Sequence, residues 1–353
     1  MSIKINDSSF PIRPRPMPMR IAASGVCCSV GNTAESAIAA IRARLNHFRE
    51  TQFIDHAGEP ICGASIYGTN EWGSRRLQFM YGNAIGECVS QLQVADLGEV
   101  PILLIGSEDE RGSRFDSDLQ LMLRQHLRDG EFYSKSGRAS LGKAGIGVAL
   151  HNAAELFRTS TPPPYVIVVG VDSYLDAASI SHHLMHERIR CSTNSDGFIP
   201  GEAAAAVALT TAAPKNGEPS LWIEGWGEAI EVASPINGKP LLAKGLAQAM
   251  RNAIESAGRT PDDYIFHASG VNGEQWYFKE AALAMDRVMT SKMEEFPHRL
   301  VCQSVGEIGA ACGPLTLAWV GREMQPDELL GPSGLLHFAN DNGLRTAIAV
   351  QYR

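Results

Sequence analysis

The sequence lacks several features that would each have opened a class of function. There is no CxxC pair to join distant histidines around zinc. The GxxxxGK[ST] order of a phosphate-binding loop is absent. The longest apolar stretches, such as Gly309–Val320, fall short of the ~20 residues a membrane-spanning helix needs. Basic residues are the minority: 31 Lys and Arg against 39 Asp and Glu leave a net charge of −8. Tracking a nucleic acid needs clustered cations to displace counterions, so that partner is excluded. The seven cysteines, at 27, 28, 62, 88, 191, 302 and 312, are odd in number and two are adjacent. They make a poor disulfide framework and fit a reducing compartment. The opening MSIKINDSSFPIRPRPMPMR puts prolines and arginines where a signal peptide needs an unbroken apolar run. A cytoplasmic protein with no membrane span, no bound metal and no cofactor is the expectation.

What is present is a chain too long for one ordinary core, with an apolar share of 44%, as in globular proteins. Residues 1–18 read as an extended, proline-punctuated arm. Two α/β runs follow, 19–215 and 216–353, separated within Thr210–Ser220, where Pro, Asn and Gly gather. In the first run, apolar spacing predicts helices over Thr33–Phe48, about 75–93, Leu119–Leu127 and Gly142–Phe157, the last buried nearly all round. Arg20–Val26, Pro101–Ile105, Tyr165–Val171 and Ala203–Leu209 read as strands. The charged stretch 107–118 reads as a solvated loop. In the second run the expected helices are Leu242–Ala257, Lys279–Met289 and Gly309–Arg322. The expected strands are Leu221–Gly225, Tyr264–Ala268, Leu335–Phe338 and Ala347–Gln351. Gly142-Lys143-Ala144-Gly145 and Gly306-Glu307-Ile308-Gly309 echo each other at two helix starts. His182, His183 and His186 share an expected helix, but no carboxylate or cysteine completes a metal set, so they read as a polar face.

Ser195–Leu209 carries the strongest motif. Its Asp196, Gly197, Phe198, Gly201, Glu202 and Ala204 match the pattern D-G-F-x-x-G-E-x-A-A, and the segment resembles that stretch of the β-ketoacyl synthases of the thiolase superfamily. Ile21–Asn32 and the helix after it resemble the family's opening strand and glycine turn, and Leu336–Val350 its closing hairpin. The resemblance implies a thiolase-like five-layer αβαβα fold of two pseudo-duplicated halves, usually dimeric. It also implies a site in which a cysteine at a helix start takes an acyl group and two histidines promote decarboxylation of a malonyl thioester.

Carried over residue by residue, that site is altered. The run Val148-Ala149-Leu150-His151 places Lys143 at the nucleophilic cysteine. His267, in His267-Ala268-Ser269-Gly270-Val271, falls at the first histidine. Glu307, in Gln303-Ser304-Val305-Gly306-Glu307, falls at the second. The glycine-rich gate becomes Phe338-Ala339-Asn340-Asp341-Asn342. The resemblance thus makes Phe338, Asn340, Ser269 and Ser304 the candidate substrate-binding residues. No cysteine maps to the nucleophile; Cys302 and Cys312, flanking Glu307, read as small core residues.

Two functions follow. One is a non-catalytic partner or scaffold subunit, a homodimer or a heterodimer with a ketosynthase-like chain, with an acyl carrier protein as a further candidate partner. The other is an acyl-thioester enzyme using His267, whether malonyl decarboxylase, acyltransferase or 3-oxoacyl-ACP synthase. The helix-start echo also predicts that Lys143 and Glu307 face each other as an ion pair, since an ammonium beside exposed N–H dipoles is unfavourable and a carboxylate there is favoured.

Overall fold

The computed structural model describes residues 17–92, 100–108, 111, 136–214, 217–292, 294–325 and 330–353. The first sixteen residues of the arm, the expected helix Leu119–Leu127 and residues 215–216 of the expected boundary lie outside them.

The first run comprises β1 (Met19–Cys28), α1 (Ala34–Arg42), β2 (Arg49–Ile54), β3 (Pro60–Gly63), α2 (Gly73–Ser90), β4 (Ile102–Gly106), β5 (Gly137–Ser140), α3 (Gly145–Phe157), β6 (Val166–Ser173), α4 (Ala177–Met185) and β7 (Glu202–Thr210). The second comprises β8 (Leu221–Ile230), α5 (Lys244–Ser256), β9 (Phe266–Ser269), α6 (Gln275–Val288), β10 (His298–Leu300), α7 (Cys302–Val305), α8 (Cys312–Glu323), β11 (Ser333–Ala339) and β12 (Leu344–Tyr352). None of these helices is long and apolar enough to cross a membrane.

The apolar patterns fix the strands. In β6, Val166 and Val168 enter one core while Ile167, Val169 and Val171 enter another. In β7, Ala203, Ala205 and Val207 alternate in the same way with Ala204, Ala206 and Ala208. Continuous apolar strands are what a sheet covered on both faces requires. The helix after β1 is shorter than its spacing suggested. Thr33 and Ser36 form a capping box at its start, but it stops at Arg42 and Arg44 turns left-handed at φ 54°. Leu45, expected on the buried stripe, is 55% exposed, so nothing there rewards another turn. Sequence reading missed β2, β3, β5 and β10, which are short and, apart from Ile61 and Gly63, not fully buried.

The strand order is β10-β9-β11-β12-β8-β1-β7-β6-β4-β5, and its two fives repeat one plan. Outward from the middle, β1–β7–β6 pair antiparallel and β6–β4–β5 parallel. β8–β12–β11 pair antiparallel and β11–β9–β10 parallel. Among the described residues, the strand ladder passes from one five to the other where Met19 and Arg20 pair with Ile223 and Trp222. Between them lie α3 and α8, in a core that draws one face from each five. The opposite faces are covered by α2 on one side and by α5 and α6 on the other. Helix, sheet, helix, sheet and helix layers result.

The central layer comes very close to the first sheet. A Cβ on Gly170 of β6 would lie 2.0 Å from the carbonyl oxygen of Ala310, just before α8. Gly170→Ala is therefore expected to destabilise by ~1–3 kcal/mol. Gly82→Ala, in α2 with open space around the added methyl, should instead stabilise by ~0.5–1 kcal/mol. Denaturant unfolding of the two variants checks the ordering, and its reversal would contradict this packing.

Candidate functional site

The two echoing helix starts meet where the halves join. Lys143 immediately precedes Ala144, the N-cap of α3. Its ammonium donates to Glu307 Oε2 at 2.5 Å and to the carbonyl oxygen of Gly270 at 2.7 Å. The lysine stem lies across Gly270, where a Cβ would stand 2.5 Å from Lys143 Cδ. Glu307 is held from every side. Its Oε1 accepts from the Gly309 N–H at 2.9 Å and its Oε2 from Asn272 Nδ2 at 2.7 Å. Its backbone N–H donates to Ile199 and its carbonyl accepts from Gly201, both in the D-G-F-x-x-G-E segment. That segment itself serves the fold: Glu202 binds Arg76, and Asp196 accepts from the Gln275 N–H at the start of α6.

Each half also caps the other. Asp172 of β6 accepts the Ala310 N–H at 3.0 Å, ahead of α8. Asn340, just past β11, accepts the Ala144 N–H at 2.8 Å, ahead of α3. Helix starts leave N–H groups without partners of their own, so these two side chains meet a real demand.

Further charges crowd around the pair. Asn272 also donates to Glu274, which with Asp341 clasps Arg188. The Tyr277 hydroxyl donates to Asp341. Arg345, fully buried, pairs with Glu280 at 2.7 Å and donates to the Asn340 carbonyl. Arg111 pairs with Asp172 and lies over the Tyr174 ring at 3.8 Å. Arg111 belongs to the stretch 107–118 read as solvated, and that reading fails for it: it is buried, because Asp172 gives it a partner inside. Of the rest of that stretch, 109–110 and 112–118 lie outside the described residues.

These contacts leave little space. The cavity shared by Lys143, Glu307, Asn272, Arg188, Tyr174 and Glu108 measures about 20 Å³. Another beside Lys143, Gly270, Tyr277 and His337 measures about 10 Å³. A single water needs about 10–15 Å³, so neither admits an acyl chain.

The protonation states follow from the surroundings. Burial pulls Lys143 down, but the Glu307 carboxylate more than offsets this and holds it above its ordinary value. It is an ammonium and carries no lone pair for attack. Contact with Cys312 and burial push the Cys302 thiol well up, away from the thiolate form. Burial raises Glu108 to about 7, against the pull of Arg111.

Of the other expected residues, Asn340 lines the Lys143–Glu307 cavity, while the rest make contacts of other kinds. Among the described residues no hydrogen bond joins His267 to Lys143 or Glu307. Its strand neighbours Phe266 and Ala268 face the central core, whereas His267 stacks on Phe296 and on His298, at 5.2 Å and 3.9 Å between ring centres. Burial and the neighbouring His298 push it down to about 2. Ser269 binds His298 Nε2 at 2.6 Å, Ser304 is buried in α7, and Phe338 is buried in the central core. Asn340 braces α3 through both amide atoms, receiving from Ala144 and donating to the Leu141 carbonyl. His182 and His186 lie side by side on and just past α4, His186 bonded to the His182 carbonyl, while His183 is buried against Tyr174 and Phe198. Sequence reading missed Asn272, Arg188, Asp172 and Arg345. They stand alone between apolar or polar neighbours, and only the fold brings them together.

No protein-family model matches the sequence, and no curated protein matches it. Solved structures do match. A ketosynthase domain for oxazolomycin from Streptomyces albus JA3453 aligns over 95% of this chain and 75% of its own, at 13% identity and TM-score 0.77. A type II polyketide synthase acyl-carrier protein in complex with its ketosynthase (AntDE:AntF) matches at TM-score 0.74 and 12% identity, over 95% and 99% of the two chains. A ketosynthase (ApeO) in complex with its chain length factor (ApeC), from Xenorhabdus doucetiae, matches at TM-score 0.70 and 13% identity, over 96% and 98%. The chain has the thiolase-like ketosynthase fold.

Breaking one side of the buried pair should cost ~3–5 kcal/mol, as for other buried ion pairs. Lys143→Met and Glu307→Leu are each expected to fall in that range and the double variant well below their sum, as measured by denaturant unfolding. With Lys143 raised, its contribution is present below pH 10.5 and lost only as pH climbs through the raised value. The cycle should therefore give the same coupling at pH 7 and pH 9.

Glu108 gives a second test. An acid raised to about 7 contributes stability that is present below its ordinary 4.5 and lost as pH rises through 7. Wild type should thus lose stability between pH 4.5 and 8 relative to Glu108→Gln. Parallel pH profiles for the two proteins would contradict the assignment.

Proposed function

We propose that this chain is a non-catalytic ketosynthase-like subunit of the cytoplasm that works by association with a partner. The observation that carries this reading is the Lys143–Glu307 ion pair. The resemblance assigns these two positions to the family's nucleophile and second histidine, and the cavity they share measures only about 20 Å³. An ammonium held by Glu307 and the Gly270 carbonyl has no lone pair with which to take an acyl group. Decarboxylation without an acyl-enzyme still needs donors aimed at the forming oxyanion, and His267 is turned towards other rings.

The partner is read as a ketosynthase-like chain, or a second copy of this one. Support comes from β5, which ends the strand order with one side unpaired among the described residues and so offers an edge for pairing. Further support comes from the neighbour described as a ketosynthase in complex with its chain length factor. By the same reasoning from the acyl-carrier complex, a carrier protein is a candidate third component.

Purified protein incubated with malonyl and acyl thioesters of a carrier protein should show no added mass and release no CO₂. Stoichiometric acylation, or CO₂ release abolished by His267→Ala, would replace this reading with the acyl-thioester enzyme. Sedimentation at micromolar concentration should show a dimer, or a heterodimer once the partner is present. A well-folded monomer that captures no ketosynthase-like chain from its native cell would count against the subunit role.

A further inference from the structure

The outer face of the second five-stranded sheet carries three histidines on three adjacent strands. His298 of β10 pairs directly with His267 of β9, and His337 of β11 pairs with Ser269, two residues further along β9. Side chains alternate across a strand, and Phe266, Ala268, Leu336 and Phe338 take the central face. The three imidazoles are thereby left together on the opposite face. One ring nitrogen from each lies within 4.8 Å of the others. We propose that His267, His298 and His337 form a binding site for a late first-row divalent cation, with Zn²⁺ the best fit, which pins the edge strand β10 to the sheet.

Three observations support the proposal. His267 Nδ1 and His337 Nε2 are 3.4 Å apart. Two nitrogens bound at ~2.0–2.1 Å to a tetrahedral ion stand about 3.4 Å from each other. Next, His298 Nε2 is held by the Ser269 hydroxyl at 2.6 Å, which leaves Nδ1 as its ligand atom. A hydrogen bond to the second ring nitrogen is the usual way a ligating histidine is oriented. Third, all three are ligands of one type, and imidazole selects zinc, copper or nickel over magnesium or calcium. The three ligand nitrogens lie within 4.8 Å of one another, against about 3.4 Å around a tetrahedral ion, so binding requires a small shift that draws His298 in while it keeps its bond to Ser269. Its position on a three-residue edge strand, only partly buried, leaves room for that.

The site adjoins the junction through His337, which shares a small cavity with Lys143, but its failure would leave the proposed subunit role untouched. It would still bear on that junction, because β10 leads through α7 directly into Glu307.

The test uses the full chain, stripped with chelator and titrated with Co²⁺ and then Zn²⁺ alone. One Co²⁺ per chain is expected, with visible d–d absorption that Zn²⁺ abolishes, and a rise in Tm on adding Zn²⁺. His298→Ala should weaken binding by more than the ~10–100-fold that follows loss of an outer partner. His298→Gln, which keeps bulk at the edge strand, should do the same and guards against misfolding of the alanine variant. His186→Ala, on the exposed histidine pair past α4, should change nothing. Binding that is absent at micromolar free metal, that survives His298→Gln, or that is lost with His186→Ala would overturn the proposal.

Discussion

The Lys143–Glu307 contact sets the terms for everything packed around it. An ammonium at the start of a buried helix meets the positive end of the helix dipole and has lost its water. It can stay only beside a carboxylate, and a carboxylate is at home where Glu307 lies, receiving the Gly309 N–H. The two helix starts must therefore approach within one hydrogen bond of each other. Gly270 has no side chain because the lysine stem occupies that space. Asn272 is there because Glu307 Oε2 has capacity for a second donor.

One buried pair then recruits others. Glu274 shares Asn272 with Glu307, Arg188 answers Glu274, and Asp341 and Tyr277 answer Arg188. Arg345 and Glu280 close a neighbouring pair. Desolvation makes such groups costly one at a time, and a partly satisfied network is worse than an apolar core. What they provide is a unique arrangement of the junction, since each charge has a partner of fixed position. Among the described residues, the space directly beside Lys143 and Glu307 comes down to about 20 Å³, and a larger cavity of about 120 Å³ opens on the far side of Glu108, Tyr174 and Arg188.

Much of the fold could be read from sequence. Strands such as β6 and β7 are apolar on both faces, and only a covered sheet explains Val166–Val171 and Ala203–Leu209. The helix starts announced themselves through Gly142-Lys143 and Gly306-Glu307, because a left-handed turn before a helix needs glycine; both have positive φ. Less could be read where one residue acts through distant partners. Arg111 looked solvated because its neighbours in sequence are charged, and only Asp172, brought in by β6, buries it. His267 matched a motif by position, yet a period-two strand sends it to the face opposite Ala268, a matter of register that a short strand scarcely encodes. The short strands β5 and β10 carry too few apolar residues to show a period at all.

The crossed caps also govern the order in which the molecule can become whole. Synthesis runs from the amino end, so β1 to β7 and α3 are made before any of the second half. The Ala144 N–H then lacks its side-chain acceptor, because Asn340 belongs to the second half. The mirror contact, from Asp172 to Ala310, likewise waits for the second half to arrive. Neither half contains what finishes its own central helix. Assembly of the interior is therefore a joint event, in which strands of the second half complete the first helix laid down between the sheets.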